Sequence, residues 1–333
     1  MSEVNEKILV IHPGYPKTGS SSFTNSLKSL NVNILAKPIE DQSKTIWFKL
    51  FKEHLYKNGY QKKEKEYNFF KLKNDFKDYL KNFFNNQKRV SVYSDVGMLG
   101  RMGNIFGIYN LYIIKEVIEE IENELNIKII IKFVITIREQ HDIISSGYYY
   151  GIEDHSKFPS INDFFKQVIQ FEEYKNLFDY TLLVKKIIKI FNSEILILPL
   201  ELLEKDEKKY IDKFCNFLNL EINSNYKLES LNKNYTIEDN EKKYFLRKMR
   251  FSKINFLLSS IHNWLKKIEI YKKNFRNNTL LRIIYRNVIR NEKRVLVKHN
   301  PNLFKNEIKN LYKKSNMELE KIANINLKEL DYY

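Results

Sequence analysis

The spacing of apolar residues changes period along this 333-residue chain. Short stretches at 7–13, 90–94, 129–137 and 194–199 are mostly apolar and β-branched, as buried strands require. Between them, apolar residues recur three and four apart over 20–30, 109–126, 140–150, 161–191 and 202–218, which predicts helices. Strands alternating with helices predict an α/β fold, a parallel sheet wrapped on both faces. Residues 41–88, rich in Lys, Phe and Tyr at helical spacing, read as a helical insertion. From 241 onward, stretches such as NFLLSSIHNWLKKI read as basic amphipathic helices, with Pro and Gly nearly absent. The expected organisation is an α/β core over 1–240 and a basic helical extension over 241–333 packing on it.

The first strand candidate runs into a loop bounded by Gly14 and Gly19, and Ser20, Ser21 and Ser22 then open a helical segment. A strand, a glycine turn and a helix start bring free backbone N–H groups and the positive helix end to one place. Lys17 adds a full positive charge and the serines add hydroxyl donors, so the segment reads as a phosphate-type site. It departs from the ATP/GTP loop G-x-x-x-x-G-K-[ST]. That loop needs lysine directly after the second glycine, and this chain has Ser20 there.

Pro16 to Ser22, PKTGSSS, resembles the 5′-phosphosulfate loop of sulfotransferases that use 3′-phosphoadenosine 5′-phosphosulfate (PAPS), P-K-T-G-[TS]-[TS]-[TS]. The resemblance implies that Lys17, Thr18, Gly19, Ser20, Ser21 and Ser22 hold the 5′ end of the donor. It also implies a second locus, because PAPS carries a 3′-phosphate that the family binds with a strand-end arginine and a serine eight residues on. The apolar run 128–137 ends at Arg138, and Ser146 stands at that spacing. Glu139 and Gln140 replace the proline that often follows the arginine in the family. The chain has only 10 arginines among its 57 basic residues, and Arg89, Arg101 and Arg138 alone precede residue 240. A guanidinium grips phosphate in a bidentate way that lysine cannot reproduce. The likeness extends over 1–30, 89–150, 193–220 and 306–333, the last including Asn316 after a short basic helix.

Sulfuryl transfer needs charge neutralisation at the leaving 5′-phosphate and a base for the acceptor proton. The resemblance gives Lys17 the first role and implies no metal. Two carboxylates compete for the second. Asp95 ends the run RVSVYSD and stands where bacterial relatives carry glutamate; Glu40 lies just past the first strand–helix unit, where Golgi-type relatives carry their base. Asp95 is the preferred choice. His12, His54 and His155 are isolated and read as ordinary polar residues.

Composition and charge limit the partners. The N-terminus lacks a signal-type pattern, and no stretch reaches the ~20 apolar residues of a membrane span. The single cysteine, Cys215, excludes an internal disulfide and a Cys-based metal cluster. A reducing, cytoplasmic setting is expected. The net charge of +16 is concentrated in 241–333, with 23 Lys and Arg against 8 Asp and Glu. That asymmetry points to an acidic partner: an anionic glycan, the donor's phosphates, a membrane surface or nucleic acid. DNA- and RNA-binding signatures are lacking. The expected activity is transfer from PAPS, releasing 3′-phosphoadenosine 5′-phosphate (PAP), to a hydroxyl or amine of a carbohydrate or polysaccharide precursor. The competing readings are a P-loop kinase and a non-enzymatic binder of anionic polymers or membranes.

Overall fold

The computed structural model describes residues 6–15, 17–36, 69–84, 88–95, 98, 107–151, 160–221, 235–238, 241–249, 292–298, 300 and 302–333. The chain divides into two compact units, one of 1–144, 161–232 and 304–333, the other of 145–160 and 233–303. In chain order the first elements are β1 (Glu6–His12), α1 (Ser20–Ser26), β2 (Asn33–Ala36), α2 (Phe69–Phe84), β3 (Val90–Ser94), α3 (Gly107–Leu125) and β4 (Lys128–Ile137). Then follow α4 (Gln140–Gly151), α5 (Ile161–Gln170), α6 (Glu172–Asn176), α7 (Tyr180–Phe191), β5 (Glu194–Pro199), α8 (Leu200–Lys205) and α9 (Glu207–Leu218).

The first unit is built on a five-stranded sheet of order β2-β3-β1-β4-β5, with every adjacent pair parallel. Its central strand is covered on both faces, which is why the sequence shows a continuous apolar run there rather than an alternation. Ile8 and Val10 enter one layer with Phe23 and Leu27 and with Ile211, Phe214 and Cys215 of α9. Leu9 and Ile11 enter the other, with Phe76 and Leu80 of α2, Ile114 and Ile118 of α3, and Val184 and Ile187 of α7. The chain lays β2 and β3 on one side of β1 and then crosses to β4 on the other. The order therefore reverses between β1 and β4, and the crevice outside their carboxyl ends is where open α/β sheets take ligands.

Several boundaries differ from the sequence expectation. The pattern read as one helix over 161–191 is broken into α5, α6 and α7: Phe171 is extended between the first two, and before α7 Asp179 leaves helical geometry and accepts the Leu182 N–H at 3.0 Å. Asp206 likewise caps α9 through the Lys209 N–H at 2.9 Å, splitting it from α8. Such caps each contribute about 1 kcal/mol. The four-residue β2 was not anticipated; its apolar stretch is shorter than the pattern needed to recognise it. Within the expected insertion at 41–88, residues 69–84 form α2, and 41–68 lie outside the described residues.

The largest difference lies beyond residue 232. The second unit carries an antiparallel sheet of β6 (Tyr235–Glu238), β7 (Glu241–Met249) and β8 (Glu292–Lys298), where the sequence reading had helices from 241 onward. Register places Phe245 opposite Leu296 and Arg247 opposite Arg294. The β-branched and aromatic runs YFL and VLV carry strand propensity that the surrounding lysines obscure. The NFLLSSIHNWLKKI stretch lies outside the described residues. The final helix, α10 (Lys305–Ala323), and the tail group with the first unit rather than with residues 233–303. There Thr181 of α7 donates to the Ser315 carbonyl at 2.6 Å, and Leu319 enters the sheet core.

Candidate functional site

The loop leaving β1 is held in an uncommon backbone shape. Lys17 has φ 72° and Gly19 has φ 81°. A left-handed lysine costs ~1–2 kcal/mol relative to a right-handed one, and such strain collects at ligand sites. At Gly19 the shape is also enforced from outside, because a Cβ there would lie 2.7 Å from Leu200 Cδ1. Only glycine suits both the backbone angle and the close approach of α8.

The hydroxyls of the motif divide into two groups. Thr18 and Ser20 turn inward and both donate to the Tyr15 carbonyl, at 2.7 and 3.1 Å. They brace the loop. Ser22 is also buried, whereas Ser21 is exposed, and Lys17 is half-buried at the loop's bend. Pro16 lies outside the described residues.

Arg138 follows the last residue of β4 and is buried. Its guanidinium reaches the loop, with Nη1 3.5 Å from the Lys17 carbonyl oxygen and Nη2 3.0 Å from Asp142 Oδ2. The two sequence signals, far apart in the chain, thus meet at the β1/β4 crevice. α4 carries Ser145 and Ser146, both buried.

A set of groups that spacing did not reveal seats this arginine. Tyr180 donates its hydroxyl to the Arg138 carbonyl at 2.6 Å, and its ring meets Tyr15 edge-on at 5.0 Å. The Glu139 N–H donates to Glu201 at 2.8 Å, and Glu201 accepts the Tyr332 hydroxyl at 2.8 Å. Gln140 and Asn316 form a reciprocal amide pair at 2.8 and 3.0 Å, and Asn316 also donates to the Tyr332 carbonyl at 3.2 Å. The tail of the chain thereby locks the segment carrying Arg138. The partners of Arg138, Glu139 and Gln140 here lie more than forty positions away in the chain, so no local pattern announces them.

Two carboxyls there are perturbed. Glu139 caps α4 by accepting the Asp142 N–H at 2.9 Å, and its other oxygen has no hydrogen-bond partner among the described residues. Burial first, and then the charge of Asp142, push its carboxyl up to about 7. Burial also raises Glu201. Ligand-type atoms of Glu139, His141 and Asp142 lie within 4.8 Å of one another. The capping bond of Glu139, the Arg138 pairing of Asp142 and the stacking of His141 on Phe165 account for all three.

Of the two candidate bases, Asp95 stands at the carboxyl end of β3, buried, with its N–H donating to the His12 carbonyl at 3.1 Å. The Tyr93 hydroxyl points to its Oδ2 at 3.4 Å. Because β3 is parallel to β1, Asp95 shares the sheet edge that carries the loop. Glu40 lies outside the described residues. His12, read from the sequence as an ordinary polar residue, is fully buried under the loop and bonded on both ring nitrogens.

Among the described residues, no helix is long and apolar enough to cross a membrane. No protein-family model and no curated protein matches the chain. Among solved structures it is similar to a sulfotransferase domain from the curacin biosynthetic pathway, with a TM-score of 0.33 and 10% sequence identity. That similarity covers 67% of this chain and 77% of the other.

Proposed function

We propose that the protein is a PAPS-dependent sulfotransferase acting on a hydroxyl or amine acceptor. The observation that carries this reading is the approach of Arg138 to the Lys17 carbonyl at the β1/β4 crevice. One motif residue suited to the 5′-phosphosulfate and one suited to a 3′-phosphate occupy one sheet edge, as a single nucleotide with phosphates at both positions requires. The chemistry of the donor set agrees: a cation on a strained loop, a buried guanidinium and a close backbone approach that only Gly19 permits.

In this reading the acceptor oxygen or nitrogen forms a bond to sulfur in line with the departing 5′-phosphate oxygen. The bond from sulfur to that oxygen breaks, and PAP leaves with added negative charge beside Lys17. The acceptor proton passes to Asp95, which shares the loop's edge, with Glu40 as the competing base. A phosphotransferase is disfavoured at Ser20: where an ATP loop places its lysine, this chain has a buried hydroxyl spent on the Tyr15 carbonyl.

A carbohydrate or polysaccharide-precursor acceptor suits the basic residues of 241–333, which would draw in an acidic substrate. A cytoplasmic setting accords with the lone, buried Cys215, whose thiol burial pushes up to about 11. The test is transfer of labelled sulfuryl from PAPS to a panel of sugar, phenol and lipid hydroxyls. Turnover with any acceptor class, abolished in Lys17→Ala, supports the reading; release of label at the same rate from both proteins contradicts it.

A further inference from the structure

Beneath the loop, one imidazole joins three strand ends. His12 closes β1 and is fully buried, its ring edge-on to Phe23 at 4.5 Å. Nδ1 lies 2.7 Å from Ser94 Oγ, at the end of β3, and Nε2 lies 3.1 Å from Thr136 Oγ1, near the end of β4. Thr136 is in turn 2.8 Å from Thr18 Oγ1. On the other side, the Thr24 hydroxyl lies 2.8 Å from the Ser20 carbonyl oxygen and 3.0 Å from Ser94 Oγ. The ring therefore reaches the loop through Thr136 and Thr18, and helix α1 through Ser94 and Thr24.

Proton counting fixes the direction of these bonds. A hydroxyl has one proton to give. Thr18 gives its proton to the Tyr15 carbonyl, so Thr136 must donate to Thr18. With the Thr136 proton spent, His12 Nε2–H donates to Thr136 and Nδ1 accepts from Ser94, which leaves Thr24 to donate its proton to Ser94. Burial holds the imidazole neutral, its pKa lowered to about 3. A neutral ring that both donates and accepts is the only state in which this order holds, and it places no charge behind the loop.

We propose that His12 is a positioning residue for the phosphate loop, an internal strut that sets the backbone of Tyr15 to Gly19 for anion binding without touching the ligand. This inference rests on the reading of the loop as the site of a 5′-phosphosulfate. A glutamine side chain can offer one donor and one acceptor in the same place; a phenylalanine fills the space and offers neither. A threonine-to-valine change at 136 keeps the ring and removes its links to the loop, through Thr18 and through Ser20 Oγ at 3.3 Å.

The test is calorimetric titration of wild type, His12→Gln, His12→Phe and Thr136→Val with PAP, alongside thermal unfolding. Losing the strut should weaken PAP binding roughly tenfold in His12→Phe and in Thr136→Val, the scale of one good hydrogen bond. His12→Gln should stay within about threefold of wild type. A purely structural histidine would lower the melting temperature and leave the folded fraction's affinity unchanged, which overturns the proposal. So does a folded His12→Gln that binds as poorly as His12→Phe. If His12→Phe does not fold, Thr136→Val against wild type decides. Wild type that ignores PAP overturns the loop reading itself, and this inference falls with it; wild type that binds, with the variants unaltered, overturns the strut alone.

Discussion

The Arg138 guanidinium lies 3.5 Å from the carbonyl oxygen of Lys17, although 121 positions separate them in the chain. Arg138 also pairs with Asp142, one helical turn on, at 3.0 Å. In the proposed role the guanidinium reads the 3′-phosphate. Arg138→Ala should then weaken PAP about 10- to 100-fold, the range of a hydrogen bond to a charged group, and leave ADP almost unaffected. Competition binding with the two nucleotides checks this; equal losses for both would assign Arg138 a structural part.

Gly19→Ala meets two obstacles at once, a left-handed backbone and the Leu200 side chain 2.7 Å from the new Cβ. The expected loss is about 2–4 kcal/mol in denaturant unfolding, combining backbone strain with overpacking. The flexible end of Leu200 supplies the steric part only. Adding Leu200→Ala should therefore recover part of the effect of Gly19→Ala, seen as a coupling between the two changes. Strict additivity would contradict the contact.

The base assignment separates rate from affinity. Asp95→Asn should lower turnover by ~10²–10⁴-fold and keep PAP affinity within about threefold of wild type. A drop of that size in Glu40→Gln, with Asp95→Asn near normal, would move the base to Glu40.

The sequence announced the parts of this architecture that are local. The run ending in Gly14 and the motif through Ser22 are contiguous, and the apolar stretch before Arg138 marks a strand end without help from elsewhere. The seat of Arg138 is of another kind. Gln140 meets Asn316 across 176 positions and Glu201 meets Tyr332 across 131. Side chains of that sort carry no periodicity, because what pairs them is the packing of α10 and the tail onto the core. Beyond 232 the difficulty was local: the charged residues flanking the three-residue runs YFL and VLV masked the strands β7 and β8. The caps Asp179 and Asp206 were readable in principle, since each is an aspartate three positions before the N–H that it accepts.

His12 also predicts a pH signature in stability. In the unfolded chain it takes a proton below its ordinary value of 6.5; in the native protein it stays neutral down to about 3. Its contribution is thus present above pH 6.5 and is lost as pH falls, at up to ~1.4 kcal/mol per pH unit. Glu139 acts in the opposite sense: its folded carboxyl keeps a proton up to about 7, so its contribution is present below pH 4.5 and is lost as pH rises toward 7. The two slopes oppose each other between pH 4.5 and 6.5. Comparing wild type with His12→Gln by denaturant unfolding from pH 4 to 7 isolates the histidine. The difference between the two proteins should narrow as pH falls; parallel profiles would mean the native histidine titrates normally.

The central claim is that one nucleotide with phosphates at both its 5′ and 3′ positions bridges Lys17 and Arg138. Calorimetric titration with PAP, beside ATP with magnesium, tests it most directly. Micromolar or tighter binding of PAP, with ATP far weaker, is the predicted result. A preference for ATP with magnesium, or no binding of either nucleotide, would contradict it.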